Sequence, residues 1–93
     1  MGAKNVDPSE VEAALAGHPD VVEVAVIGLP DREWAEIVAA AYGGTATPEQ
    51  LRVFIAGQVP NYAMPKRWLR VETLPRTDLG NLDRSALVSL FDS

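Results

Sequence analysis

Residues 7–27 read DPSEVEAALAGHPDVVEVAVI, and the fold class follows from this stretch. Asp7 and Glu10 have the Asx-x-x-Glu form of a capping box, with Pro8 at the first helical position. Val11, Ala14 and Leu15 then recur at helical spacing, which predicts a helix from Pro8 to about Ala16. Gly17 is expected to supply a left-handed cap, and Pro19 blocks any continuation. The run Val21 to Ile27, broken only by Glu23 and Ala25, is apolar on nearly every position of both faces. That pattern is expected of a central strand covered on two sides.

Working outward, Pro30-Asp31 turns the chain and Ile37 to Tyr42 forms a second strand that ends at Gly43-Gly44. Its alanines suit a face pressed closely by a helix, and the two strands are expected to pair antiparallel. Thr47, Pro48 and Gln50 repeat the capping signature ahead of Leu51, Phe54 and Ile55, so a second helix should run to near Gly57. Two prolines between Val59 and Pro65 exclude a long regular element there, and Arg67 to Val71 alternates as a half-exposed third strand. Thr73 to Leu82 has the composition of a loop, and a last helix starts at about Asp83 with Leu87, Leu90 and Phe91 on one face. The order α-β-β-α-β-α implies an α+β domain: a small, mainly antiparallel three-stranded sheet flanked by three helices.

With 93 residues, 47% of them hydrophobic and 23% charged, the chain has material for one core and reads as a single domain, 1–93. No apolar run reaches the roughly 20 residues needed to cross a bilayer, and MGAKNVDPSEVE lacks the features of a signal peptide, so a cytoplasmic setting is expected. The absence of cysteine removes disulfides and thiol catalysis, and one histidine is too few for a histidine-based metal site. Net charge is −5, which argues against nucleic acid as a partner. The charge is uneven: Lys66, Arg67, Arg70, Arg76 and Arg84 face only Glu72, Asp78 and Asp83 within 66–84. A strand edge guarded by charges or an edge that meets an anion would each explain this. No hydrolytic constellation emerges. His18 follows a helix end, where a capping role suffices, and the acids Asp31 and Glu33, or Glu10 and Glu12, need no catalytic explanation.

Five segments in order carry a family resemblance: Gly2 to Glu12, His18 to Val21, Ala25 to Asp31, Tyr62 to Lys66, and Leu74-Pro75-Arg76-Thr77-Asp78-Leu79-Gly80-Asn81-Leu82-Asp83-Arg84. Together they resemble the mobile C-terminal domain of acyl-CoA synthetases, in the ANL superfamily of adenylate-forming enzymes. In that family a large N-terminal domain binds ATP, magnesium and the carboxylate. The small domain rotates to serve adenylation first and thioester formation second. The resemblance therefore implies a large domain as partner, in cis or in trans, with CoA and an acyl-adenylate as ligands. Family hinge residues precede the glycine segment, so this sequence is expected to be part of a larger enzyme or a free-standing partner domain, inactive when isolated.

The family motif before the last helix ends Gly-Lys, and that lysine stabilises charge during adenylation; here Asn81 follows Gly80. Asparagine offers a short neutral dipole where lysine carries a full positive charge. The resemblance thus implies impaired or lost adenylation, although Asn81 is also a good turn residue. Gly2 and Ala3 correspond to the segment lining the pantetheine tunnel, where small side chains let a thin chain pass the backbone. Trp34 and Tyr62 stand where relatives that use free CoA place aromatics around adenine, and Lys66 where a cation meets the phosphates. Met64 departs from relatives that carry arginine. Plainer roles remain: Trp34 and Tyr62 as sheet-edge covers, Lys66 as a solvated strand start. The implied function is thioester formation within an acyl-CoA ligase. The alternatives are a catalytically silent interaction or regulatory module, or a domain serving the phosphopantetheine thiol of a carrier protein. The acyl substrate lies outside what these residues specify.

Overall fold

The computed structural model describes residues 7–32 and 35–92. Helix α1 (Pro8–Ala16) leads into strands β1 (Val21–Asp31) and β2 (Ala35–Gly44), followed by α2 (Pro48–Ile55), a 3-10 turn (Asn61–Ala63), β3 (Arg67–Arg70) and α3 (Arg84–Phe91). The α+β order is the one expected. Each α-helix begins on a side-chain cap, Asp7 accepting from Ser9 N, Thr47 from Gln50 N and Asp83 from Ala86 N. The Thr47–Gln50 box is reciprocal, with Gln50 Oε1 accepting the Thr47 N–H at 2.9 Å. Asp7 also accepts the Ser9 hydroxyl at 2.6 Å, and this bond leads those that hold its carboxyl below the ordinary aspartate value.

The sheet has strand order β1-β2-β3, with β1 and β2 antiparallel and β2 and β3 parallel. Alternation sorts its side chains into two cores. Val26, Val38, Ala40 and Tyr42 meet Val11 and Leu15 of α1 and Leu51 and Ile55 of α2 on one face. Ala25, Ile27, Leu29, Ala39 and Ala41 meet Leu74 and Leu87 and Phe91 of α3 on the other. Ala39, Ala40 and Ala41 of β2 are completely buried between these layers, which is the role their small size suggested.

Three expectations are corrected. β1 is an edge strand, and β2 occupies the centre. An apolar pattern on both faces reports the layers above and below a strand, not its lateral neighbours. The open edge is covered from α1, where Glu12 Oε2 accepts the Val26 N–H at 3.0 Å, so this carboxylate has a structural use. Gly17 is right-handed, with φ −75°. The helix instead closes by backbone bonds from Gly17 N to Ala14 O and from His18 N to Leu15 O, while His18 Nδ1 accepts from Asp20 N and its ring meets Phe54 edge-on at 4.8 Å. Leu90 is 41% exposed, whereas Leu87 and Phe91, four residues apart, carry the buried stripe of α3. In so short a helix one i, i+4 pair fills the contact.

Tyr42 is the largest fully buried side chain; its hydroxyl donates to Ala46 O at 2.7 Å and its ring meets Trp68 edge-on. Burial raises its phenol above the ordinary value, with Arg70 opposing to a lesser degree. Tyr42→Phe leaves the Ala46 carbonyl unpaired and is expected to cost about 1–3 kcal/mol in urea unfolding. Because the folded value lies above the unfolded one, this residue's stabilisation is intact below pH ~10 and is lost as pH rises through the folded value. Parallel unfolding titrations should show that alkaline loss diminished in Tyr42→Phe.

Candidate functional site

The sequence-predicted residues that the structure describes fall at two ends of β3. Lys66 precedes the strand; its N–H bonds to Val38 O at 2.8 Å, and Arg67 lies beside Ala39. The β1–β2 hairpin closes at this same end, with Asp31 opposite Ala35. Trp34, Gly2 and Ala3 lie outside the described residues. At the far end of β3, Arg70 lies beside Tyr42, and the chain runs on through Val71 into the 74–83 loop that carries Asn81. The two ends are separated by the length of β3, about 13 Å.

Tyr62 sits in the 3-10 turn after Pro60 and is 49% exposed. It lines a small cavity of about 110 Å³ together with Asp7 and Glu10 of α1. Lys66 lines a different, more open depression with Arg52, Asn61, Met64 and Trp68. The fold therefore puts the aromatic and the cation on adjoining but separate concavities, the first acidic and the second basic. An anionic group is favoured only on the Lys66 side. Arg52 is the binding candidate that sequence reading missed: it lies on α2, and nothing in its local sequence ties it to Lys66.

The loop around Asn81 is ordered by its own backbone. Thr77 N donates to Asn81 O at 2.7 Å, Gly80 N to Thr77 O at 2.8 Å and Asp83 N to Pro75 O at 2.9 Å, and Arg76 bridges Leu82. Gly80 adopts φ +88°, with nothing within 4 Å of where a Cβ would project. Asn81 is exposed, and neighbouring Leu79 is 88% exposed. Arg76 and Arg67 of the basic segment bond to other parts of the chain. Arg76 pairs with Glu23 at 2.9 Å, and Arg67 donates to Phe91 O at 2.7 Å while lying over the Phe91 ring.

Known proteins share this fold. The AMP-binding enzyme C-terminal domain model matches residues 10–81. The chain belongs to this family. The matched segment of this AMP-binding C-terminal domain ends at Asn81, so it includes the loop just described as far as that residue. An uncharacterized acyl-CoA ligase of Bacillus subtilis is 36% identical over 84 residues, covering 90% of this chain and 18% of its own length. A fatty acid–[acyl-carrier-protein] ligase of Streptomyces coeruleorubidus is 35% identical over 95 residues, covering 98% and 18%. Among solved structures, a Mycobacterium tuberculosis fatty acyl-CoA synthetase superposes with TM-score 0.88 at 34% identity, covering 95% of this chain and 18% of that one. The chain thus spans about a fifth of the length of these relatives. Among the described residues, no helix is long and apolar enough to cross a membrane.

Proposed function

We propose that this AMP-binding C-terminal domain serves thioester formation in an acyl-CoA ligase, and that Asn81 impairs its adenylation. A large domain, in cis or in trans, would supply the ATP, magnesium and acyl sites. The observation that supports this most directly is the separation of the two surfaces: a well-ordered loop with neutral Asn81 at one end of β3, and Tyr62 and the Lys66 groove at the other. A domain that rotates can present these ends in turn, so loss of charge at one leaves the other intact. In the thioester step the CoA thiol gives up its proton to solvent, its sulfur bonds to the acyl carbonyl carbon, the carbonyl carbon–phosphate oxygen bond breaks, and AMP departs with the electron pair. The domain's own contribution is to hold the nucleotide end of CoA. Tyr62 offers an exposed aromatic ring, Trp34 is the other aromatic assigned to adenine by resemblance and lies outside the described residues, and Lys66 and Arg52 would provide positive charge for phosphates. Gly2 and Ala3 would line the pantetheine path.

A second reading has one observation in its favour: the Streptomyces coeruleorubidus relative is named for a carrier-protein acceptor and matches nearly the whole chain. The thiol donor would then be a phosphopantetheine arm, and adenine stacking would be irrelevant. The two readings separate on Trp34→Ala and Tyr62→Ala in the ligase assembled with its large domain. Stacking is worth ~1–3 kcal/mol per base, so each variant is expected to raise the half-saturating CoA concentration about tenfold with folding preserved. CoA saturation curves unchanged in both variants would refute the stacking assignment. Efficient transfer to a phosphopantetheinylated carrier protein, with little to CoA, would favour the second reading.

A further inference from the structure

The segment that carries Asn81 is fastened to the sheet by residues that no motif of the 74–84 stretch announces. β1 contains a bulge: Val21 pairs with Gly44 and Glu23 with Gly43, so Val22 is an extra residue without a ladder partner, 83% exposed. A bulge bends its strand and re-aims the side chains beside it. The carboxylate that follows this one is Glu23, and it reaches residues more than fifty positions away. Glu23 Oε2 accepts the Leu74 N–H at 3.1 Å, and Glu23 Oε1 accepts from Arg76 Nη2 at 2.9 Å. The other arm of the guanidinium, Nη1, donates to Gly80 O at 3.3 Å. Leu74 itself is buried in the α3-side core, so the base of the loop is anchored by packing and its apex is reached through Arg76.

We propose that Glu23 and Arg76 are positioning residues: the bulge-directed carboxylate and the two-armed guanidinium fix the presentation of Leu79, Gly80 and Asn81 to the large domain in its adenylation orientation. The proposal deepens the reading above and rests on it for what the loop meets. The chemistry suits the task. A carboxylate has two acceptor oxygens, and here one takes the loop's backbone and the other its arginine. A planar guanidinium spans two acceptors at a fixed separation, which a lysine ammonium cannot do. Position 81 lies next to the carbonyl that Arg76 holds, so rotation of that peptide would swing the residue 81 side chain directly.

The test compares loop and core amides in the 93-residue protein by hydrogen exchange. In Glu23→Gln and in Arg76→Gln, the Thr77 and Gly80 amides are expected to exchange about tenfold faster, while the Leu51 and Ile55 amides of α2 keep their rates. Arg76→Lys, which keeps the charge but not the fork, should fall between. A role in stability alone would accelerate all these amides together, and that result overturns the proposal, as does unchanged exchange at Thr77 and Gly80 in both variants. The kinetic arm uses the assembled ligase carrying Asn81→Lys. Adding Glu23→Gln should lower ATP–pyrophosphate exchange by tenfold or more, in the range that misplacement of a reacting group produces, roughly 100-fold at most. Acyl transfer from a preformed adenylate should be retained, and an equal loss in both half-reactions overturns the positioning role. Failure of Asn81→Lys to restore adenylation would count against the proposed function, while the amide exchange still decides the clamp.

Discussion

Asn81→Lys, made in the ligase assembled from this domain and its large domain, is expected to raise acyl-adenylate formation from free acid and ATP by about 100- to 1000-fold, the usual worth of one charge-stabilising donor. The protein with Asn81 should convert a synthetic acyl-adenylate and CoA to acyl-CoA, yet work poorly from the free acid. The backbone around position 81 is already in place for the substitution. Its carbonyl accepts from Thr77 N, its side chain is exposed, and Gly80 absorbs the positive φ. A lysine there meets no buried neighbour and needs no refolding of the loop. The thioester half-reaction should change little, because Tyr62 and Lys66, the described residues proposed to serve it, lie at the other end of β3. Pyrophosphate exchange and single-turnover thioester assays separate the two. Efficient adenylation by the protein that retains Asn81 would show that another cation supplies the charge, and the half-reaction division would have to be abandoned.

The largest effect on stability is expected from Gly44→Ala. Gly44 ends β2 at φ +130°, and a Cβ built there falls inside the contact distance of Asp20 O and within 3.1 Å of Asp20 C and Val21 Cα. The obstacle is backbone, and it is pinned, since Asp20 O accepts from both Thr45 N and Ala46 N. Backbone strain and overpacking each cost roughly 1–3 kcal/mol, so a combined loss of about 3–5 kcal/mol is expected. For a chain of this size that corresponds to a Tm lowered by ~15 °C or more. Gly57→Ala is the control. Its φ is +91°, but nothing lies within 4 Å of the added Cβ, so it should show only the conformational cost, roughly 1–2 kcal/mol. Equal Tm losses in the two variants would show that the close approach to Asp20 contributes nothing.

Much of this protein was written locally. Helix starts depend on side-chain caps within three residues: Thr47 and Gln50 close the box that their spacing implies, Asp7 caps its helix through Ser9 N instead of through a box with Glu10, and the last helix starts next to Asp83, as expected. The antiparallel pairing of β1 with β2 follows from a short connection, and the alanines of β2 from the need to pack two layers closely. The resemblance of the 74–84 stretch and the other segments was likewise carried by residue identity, and the match over residues 10–81 agrees with it. Tertiary structure decided what depends on contacts between distant segments. Face periodicity could not say that β1 is an edge, because a strand covered above and below looks the same with one neighbour or two; Glu12 closing that edge is a long-range bond. The parallel register of β3 with β2 arises from where α2 and the Asn61–Ala63 turn deliver the chain. The basic segment read as one charged edge, but Arg67 and Arg76, though exposed, are each held by a distant group of the same chain, Phe91 and Glu23, 24 and 53 positions away. Tyr62 and Lys66 sit four residues apart in sequence yet line separate concavities, because the prolines around them turn the chain between the two. Residue types named the chemistry available to this domain. Only the packed sheet, with its bulge at Val22 and its two opposed ends, determined which groups act together.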